Sequence, residues 1–362
     1  MATFWHTILR RPVPADSEVN QAPMLGRFLR KSGFQPLELL IGVLIALVAA
    51  IITVVRVSDL SVYSADNTHK RAELHEAIMH NDPPGDGTWG DSGANNVNVR
   101  VAVVWIAEHL SRMTGKSTDF IYRAVDLAAL FAALLCLQAL LKHWFSPVEA
   151  ILGLLLFCML LPLTALDHYF HPWDRPMLFL WAAMILASVN KRVVLFAVFL
   201  TISVIVKFDS IFAVGMILFL YARTGDWRQA TGTTLIVAAI GAIPLAALLI
   251  LYPGGQEPID VFQQVSKNVS VAAELGFAYP PLLTHGLLLV LGIVGWKKAT
   301  ILMRRLWVFG LILLIPHVLV TNFMEVRAQI GTMLCMLPLA LRGVLSISEL
   351  AGPRPDRAAG GA

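Results

Sequence analysis

Charge is what this chain has least of. Of its 362 residues only 14% are Asp, Glu, Lys or Arg, against 57% that are hydrophobic, where soluble domains carry about 25% charged residues. That shortage excludes an ordinary soluble body and reads as a polytopic membrane protein. Cysteine is nearly absent too. Cys136, Cys158 and Cys335 all lie inside apolar runs, so no exposed pair could build a disulfide framework. There is no Gly-rich phosphate loop, nucleophile elbow or zinc-protease motif, so covalent Ser, Cys or His catalysis has no specific support. Nor is there an internal repeat, or a stretch with the composition of a soluble domain. The net charge of +4 is no sign of a nucleic-acid partner, because most basic residues stand where membrane topology places them.

What is present is a series of apolar runs. Ten membrane segments are expected, at about 37–56, 120–141, 147–166, 177–189, 193–206, 210–221, 230–252, 281–296, 306–321 and 328–341. The fold class that follows is all-α, a polytopic transmembrane bundle of about ten helices. Residues 1–36 carry Arg10, Arg11, Arg27, Arg30 and Lys31 and lack the pattern of a signal peptide, so they read as a cytoplasmic tail. Residues 37–342 form the transmembrane domain, and 343–362 a cytoplasmic disordered tail, Pro/Arg/Gly-rich from Ala351. With both termini inside a bacterial-type inner membrane, Lys142, Lys191, Arg192, Arg223, Arg228, Lys297, Lys298, Arg304, Arg305 and Arg342 all fall on the cytoplasmic side. Most acidic residues fall on the other face, which makes the outer face the chemically equipped one.

Three mid-chain segments are too short. Met177–Val189, Val193–Val206 and Ser210–Tyr221 have 13, 14 and 12 residues. At about 1.5 Å per residue they reach roughly 18–21 Å, against a hydrocarbon core of about 30 Å. Fusing 193–221 into one helix would bury Lys207 and Asp209 at its middle, at about 2.5–3.5 kcal/mol each. A hairpin of two short helices avoids that and sets Lys207-Phe208-Asp209 in a dip below the outer surface. Irregular backbone at that depth requires a covering of protein or a wet cavity.

The first outer loop, 58–119, is the only sizeable extramembrane piece. It contains a polar helical segment, Asn67–His80, then a Gly/Pro/Asp-rich turn, then an amphipathic helix over Val97–Met113. That helix either lies in the membrane interface, with Trp105 at headgroup level, or packs on a small core of the loop itself. A second outer loop, Tyr252–Pro281, has a short helical stretch around Ile259–Lys267. It also holds a glycosylation-type triplet, Asn268-Val-Ser270.

Four outer clusters carry the chemistry. The first is Arg56, Asp59, Tyr63 and Asp66 just after the first segment, where Asp59, Tyr63 and Asp66 share one face if helical. A carboxylate fixed there can act as general base toward a hydroxyl. The second is Asp167, His168, His171, Asp174 and Arg175. These residue types can hold a metal, but Pro172 breaks regular spacing, and Asp174 before Arg-Pro suits a helix N-cap. No metal is assigned. The third is Lys207 with Asp209, and the fourth Glu325 with Arg327. Lys207 and Arg327 serve either as anion ligands, phosphate in particular, or as members of internal ion pairs.

Arg56-Val-Ser-Asp59-Leu-Ser-Val-Tyr63, the long first loop, the short mid-chain helices and Asn322-Phe-Met-Glu325-Val-Arg327 followed by Met336-Leu-Pro338 together resemble the GT-C class of polytopic glycosyltransferases. The resemblance implies transfer of a sugar from a polyprenyl-phosphate donor to an extracytoplasmic acceptor, whether glycan, lipid or protein. It implies Asp59 or Asp66 as base, inversion at the anomeric carbon, and no cofactor. Arg56, Tyr63, Asp167, His168, His171, Asp174, Arg175, Lys207, Asp209, Glu325 and Arg327 would then bind substrate. The larger C-terminal domain that members often carry is missing. The rival readings are a lipid or polyisoprenoid transporter or flippase, and another envelope acyl- or phosphoryl-group transferase.

Overall fold

The computed structural model describes residues 36–53, 65–80, 100–165, 171–221, 227–251, 261–276, 279–320 and 326–351. Among these residues the chain is helical throughout, with no strand. The helices are α1 (Pro36–Ile51), α2 (Ala65–His80), α3 (Val101–Thr114), α4 (Thr118–Leu141), α5 (Pro147–Leu160), α6 (Asp174–Val189) and α7 (Val193–Val206). They continue with α8 (Gly215–Tyr221), α9 (Trp227–Leu251), α10 (Val261–Leu275), α11 (Leu287–Gly295), α12 (Ile301–Val320) and α13 (Ile330–Ala351). The chain divides into residues 1–40, of which only the start of α1 is described, and a compact body from Ile41 onward.

Each expected apolar segment coincides with helix. Five stretches are long and apolar enough to cross a membrane: Thr118–Leu141, Pro147–Thr164, Trp227–Leu251, Ile301–Leu319 and Ile330–Ser348. Leu40–Ile51, Val193–Val206 and Phe208–Leu220 are shorter apolar helices. The outward faces are apolar: Leu152 and Met159 on α5, Val198 and Ile202 on α7, Ile243 and Ile250 on α9, and Val290 and Ile293 on α11 are all exposed. Several polar side chains are meanwhile buried, among them Gln138, Ser203, Lys207, Gln329 and Thr332. This inside-out distribution is that of a helical membrane protein.

Helix α13 is the central element. Met333 to Leu337 and Leu339 to Leu341 are at most 1% exposed, and α5, α6, α11 and α12 all pack against it. Lipid supplies no hydrophobic drive between helices, so close backbone approach has to supply the contact. Two glycines make this possible. A Cβ on Gly343 would stand 1.9 Å from the Leu291 carbonyl oxygen, and one on Gly295 would stand 2.6 Å from the Leu339 carbonyl oxygen. The helix also runs on to Ala351, past the boundary at 342 expected from hydropathy, so the segment expected as a disordered tail from 343 begins as helix.

The short connections have explicit local causes. α5 starts with a capping box, Ser146 and Glu149 bonding each other's backbone N–H, with Pro at its first turn. α6 ends in a Schellman turn: Lys191 takes positive φ (57°), and the N–H groups of Lys191 and Arg192 reach Ser188 O (2.9 Å) and Ala187 O (2.8 Å). α7 therefore returns along α6.

At Lys207 the chain reverses again. Asp209 and Phe212 lie beside His317 and Leu313 of α12, while farther on the Phe219 carbonyl accepts from Arg305 Nη1 at 3.4 Å, near the start of α12. Residues 208–221 thus run back against α12, as the hairpin reading expects. The segment opens as a 3-10 turn, Phe208–Val214, before α8.

The helices of the first loop share a core with the ends of the bundle helices. Leu74 and Ile78 of α2, Val101, Val104 and Ala107 of α3, Ile121 and Tyr122 of α4, and Trp173 and Met177 are all buried in one cluster. The opposite face of α3 leaves Trp105, Ile106, Leu110 and Met113 exposed. The packed reading of this helix therefore holds for one face. A polar set ties α2 down: Arg71 pairs with Asp119, and the His75 ring bonds Tyr122 Oη (2.7 Å) and Glu108 (3.1 Å).

Candidate functional site

The best-formed polar cleft lies where α6 begins, α7 ends, and α12 and α13 come together. Its enclosed volume is about 20 Å³, room for a single water. α7 stops at Val206 because Lys207 adopts an extended conformation (φ −157°, ψ 107°). Its N–H still bonds Ser203 O at 2.7 Å, and its carbonyl accepts from Ser210 N at 3.0 Å, which opens the 3-10 turn. That break aims the Lys207 ammonium at Asp209, 3.2 Å away, with the lysine side chain 10% and the aspartate 28% exposed. Of the two roles open to Lys207 from sequence, the ion pair is the one present.

Opposite the pair stand Asp174 on α6 and His317 on α12. Arg100 and His317 both act electrostatically on Asp209. The Arg100 guanidinium lies over two rings, 4.9 Å from the centre of Trp173 and 5.5 Å from that of Phe208. It braces the start of α3 against the two strands of chain that lead into the cleft. His317 follows Pro316, which has no N–H to give the preceding turn of α12 and loosens the helix at the cleft wall. The remaining wall is largely apolar: Met177, Trp181, Phe212, Leu313 and Ile330, with Gly331 and Thr332. A Cβ on Gly331 would come 2.5 Å from the Trp181 ring, so glycine is what lets the indole lie against the start of α13.

The residues singled out from sequence divide as follows. Asp174, Lys207 and Asp209 meet in this one cleft. His171 stacks on Trp173 with ring centres 4.9 Å apart, and Arg175 donates to Thr164 Oγ1 at 3.1 Å, so neither lines the cavity. Asp174 is the first residue of α6 rather than its N-cap. Trp173 holds that position and makes no side-chain capping bond, and Asp174 in the first turn stands at the positive end of the helix. Asp66 falls in α2 and Arg327 in the turn Val326–Gln329 that feeds α13. Arg56, Asp59, Tyr63, Asp167, His168 and Glu325 lie outside the described residues.

The Asn268 triplet is corrected by the structure. Asn268 is 5% exposed and its Nδ2 donates to Val318 O at 2.9 Å. It therefore anchors α10, longer than the short stretch expected there, against α12 and is closed to glycosylation in the folded protein.

His317, Trp181, Gly331 and Thr332 were not singled out from sequence. His317 did carry a signal, as an ionisable residue inside an apolar run. The others resemble ordinary bundle residues until the helices are assembled.

No family model matches the chain, and no curated protein or solved structure matches it either.

Proposed function

We propose that the protein is a membrane glycosyltransferase that moves a sugar from a polyprenyl-phosphate donor to an acceptor hydroxyl at the end of the bundle that holds the cleft. What supports this reading is one observation. Three of the polar groups that such a donor would use, Asp174, Lys207 and Asp209, come from separate segments and meet in one cavity of an otherwise apolar bundle.

In the proposed reaction the acceptor oxygen attacks the anomeric carbon as the bond from that carbon to the phosphate oxygen breaks. The hydroxyl proton passes to a carboxylate, Asp59 or Asp66 on the sequence argument. The electron pair leaves with the lipid phosphate, whose charge is met by Lys207 and Arg327. The ammonium has three donors and spends one on Asp209, which leaves two for a phosphate oxygen. A single in-line displacement inverts the anomeric centre. GT-C-like architecture, an inner-membrane location with cytoplasmic termini and the use of ten crossings belong to the same proposal.

The test is direct. Purified protein in lipid nanodiscs is incubated with radiolabelled polyprenyl-phosphate hexoses and a membrane extract as acceptor source. Label should leave the lipid with wild-type protein and stay on it with Asp59→Asn/Asp66→Asn. Retention of all label by the wild type, across hexoses, would remove the reading.

A further inference from the structure

We propose that a slot between α12 and the segment leading into α11 holds one acyl chain of a bilayer phospholipid, as a resident lipid separate from any substrate. The slot asks only that the bundle lie in a bilayer and stands apart from the function proposed above. Three observations carry it.

The first is how the slot is made. α11 and α12 both pack along α13 but scarcely on each other. They meet near the turn that joins them, where the Trp296 and Trp307 rings stand 5.6 Å apart. There Trp307 also lies against Gly292, at which a Cβ would come 2.2 Å from the indole Nε1. Away from that turn a space opens between them. Just before α11 the chain makes a π-helical turn, Leu282–Gly286, the kind of local widening often found beside a site. Tyr279, His285 and Leu289 stand on one side of the space, Leu311 and Leu314 on the other, and Met336 of α13 beneath. Its volume is about 210 Å³, against about 20 Å³ in the polar cleft.

The second is chemistry. The lining is almost all carbon, and His285 is already met at Nδ1 by Thr284 Oγ1, 3.1 Å away. Leu287 and Val290 on α11 and Ile315 on α12, next to the lining residues, are exposed in the lipid-facing belt. Apolar space of this kind does not hold water. Left empty, its walls would forfeit their dispersion contacts, so hydrocarbon from the bilayer fills it.

The third is fit. From Pro281 to Leu289 the slot runs about 12 Å at the helical rise, close to the roughly 15 Å of hydrocarbon in one leaflet. One chain from one leaflet matches that depth. A neighbouring helix, about 10–12 Å across with its side chains, would ride on Leu287, Val290 and Ile315 without entering. Nor does the chain belong to a lipid held at Lys207. At about 3.6 residues per turn, Leu311 and Leu314 lie on the face of α12 away from Leu313, Pro316 and His317, which line the cleft. The body of α12 stands between the two.

The experiment places full-length protein in nanodiscs doped with a phosphatidylcholine that carries a diazirine near the end of one acyl chain. After irradiation, adducts are located by mass spectrometry. Bulk lipid labels positions in proportion to exposure, so Val290 (59%) and Ile315 (55%) would lead, ahead of the half-buried Leu289, Leu311 and Leu314. A resident chain reverses that order. Adducts on those three leucines should exceed those on Val290 and Ile315 by about 5-fold, a preference of about 1 kcal/mol. Leu311→Trp or Leu314→Trp, which fill the slot, should remove the excess, and Ile315→Trp, beside it in the belt, should leave it. An equal amount of polyprenyl phosphate should not compete. A pattern that follows exposure overturns the resident chain, as does an excess that survives both filling variants. Displacement of the photolipid by polyprenyl phosphate overturns it too, and gives the slot to an isoprenoid chain.

Discussion

Two groups of charged side chains flank the small core under the first loop, and they are built to opposite plans. Beneath α2, Arg71 pairs with Asp119, and Asp119 also bonds Arg123 at 3.1 Å. His75 joins Tyr122 to Glu108, and Glu108 reaches Arg112 at 2.5 Å. Ionised groups find partners within three adjacent helices, and the side chains that matter most, Arg71 and His75, are 3% exposed. In the cleft, Lys207 and Asp209 pair across a chain break, with Asp174 in the same walls. The first plan uses charge to hold helices together. The second sets its ion pair at a chain break in the wall of a small cleft. That difference is the ground on which the cleft, rather than the α2 cluster, is proposed as the functional site.

The largest effect that would separate the two is on stability. Removing one partner of a buried ion pair leaves the other uncompensated and costs about 3–5 kcal/mol. Arg71→Met should lower the unfolding midpoint in detergent by less than that, about 1–3 kcal/mol, because Asp119 keeps Arg123 and is 32% exposed, while the cation 5.5 Å from the centre of the Tyr122 ring is lost. If Arg71→Met proves neutral, α2 is not held by charge and the contrast fails on its structural side.

Next in size is an effect on turnover. Lys207→Met should reduce sugar release from a polyprenyl-phosphate donor at least 100-fold, the order expected when a preorganised charge facing a leaving group is removed. Its stability loss should be comparable to that of Arg71→Met, since the carboxylates left behind, Asp209 and Asp119, are similarly exposed at 28% and 32%. A Lys207→Met protein that transfers normally but unfolds easily would make the cleft pair structural, like the pair under α2.

Sequence carried the helices well and the site only in part. Apolar runs mark α4, α5, α9, α12 and α13 directly, because lipid-facing and core-facing residues are alike in hydropathy. The turn at Lys207 followed from length, since two short runs around a buried cation make better sense folded back than fused. What hydropathy averages away is a single polar residue in an apolar run. His317 and Thr332 vanish in such a window, and only the approach of α6 to α13 at Gly331 makes them neighbours of Lys207. The ion pairs under α2 were partly visible as i, i+4 spacings within helices, Glu108 with Arg112 and Asp119 with Arg123. Their links across helices, through His75 and Arg71, were not. The end of α13 was misjudged because Arg342 looks like a stop signal. In the fold its guanidinium lies over Phe145, 4.9 Å from the ring centre, and the helix continues.

A smaller effect tests the network hydrogen bond by hydrogen bond. Tyr122→Phe keeps the buried ring and removes only the hydroxyl that meets His75 Nδ1. The loss should be about 0.5–1.5 kcal/mol, seen as a modest drop in unfolding midpoint with sugar release unchanged. Reduced transfer at unchanged stability would mean that the α2 cluster communicates with the cleft, and the two plans would no longer be separable.

The smallest effect is one of pH, in the cluster under α2. Glu108 has its pKa held below the usual glutamate value of 4.5, chiefly by the Arg112 hydrogen bond, with partial burial opposing and His75 assisting. A carboxyl with a lower pKa folded than unfolded contributes its full stabilisation above the unfolded value and loses it as pH falls through the folded one. Acidification from pH 5 downward should therefore loosen the contact between α2 and α3, read as faster amide exchange in Ala65–His80. Glu108→Gln, already uncharged, should show that faster exchange at pH 6 and a weaker dependence on acid below pH 5. Exposure of Arg112 to solvent keeps the magnitude small, but the sign is fixed by the direction of the shift. Loosening that began on the alkaline side of pH 6 would show that some other group closes this cluster.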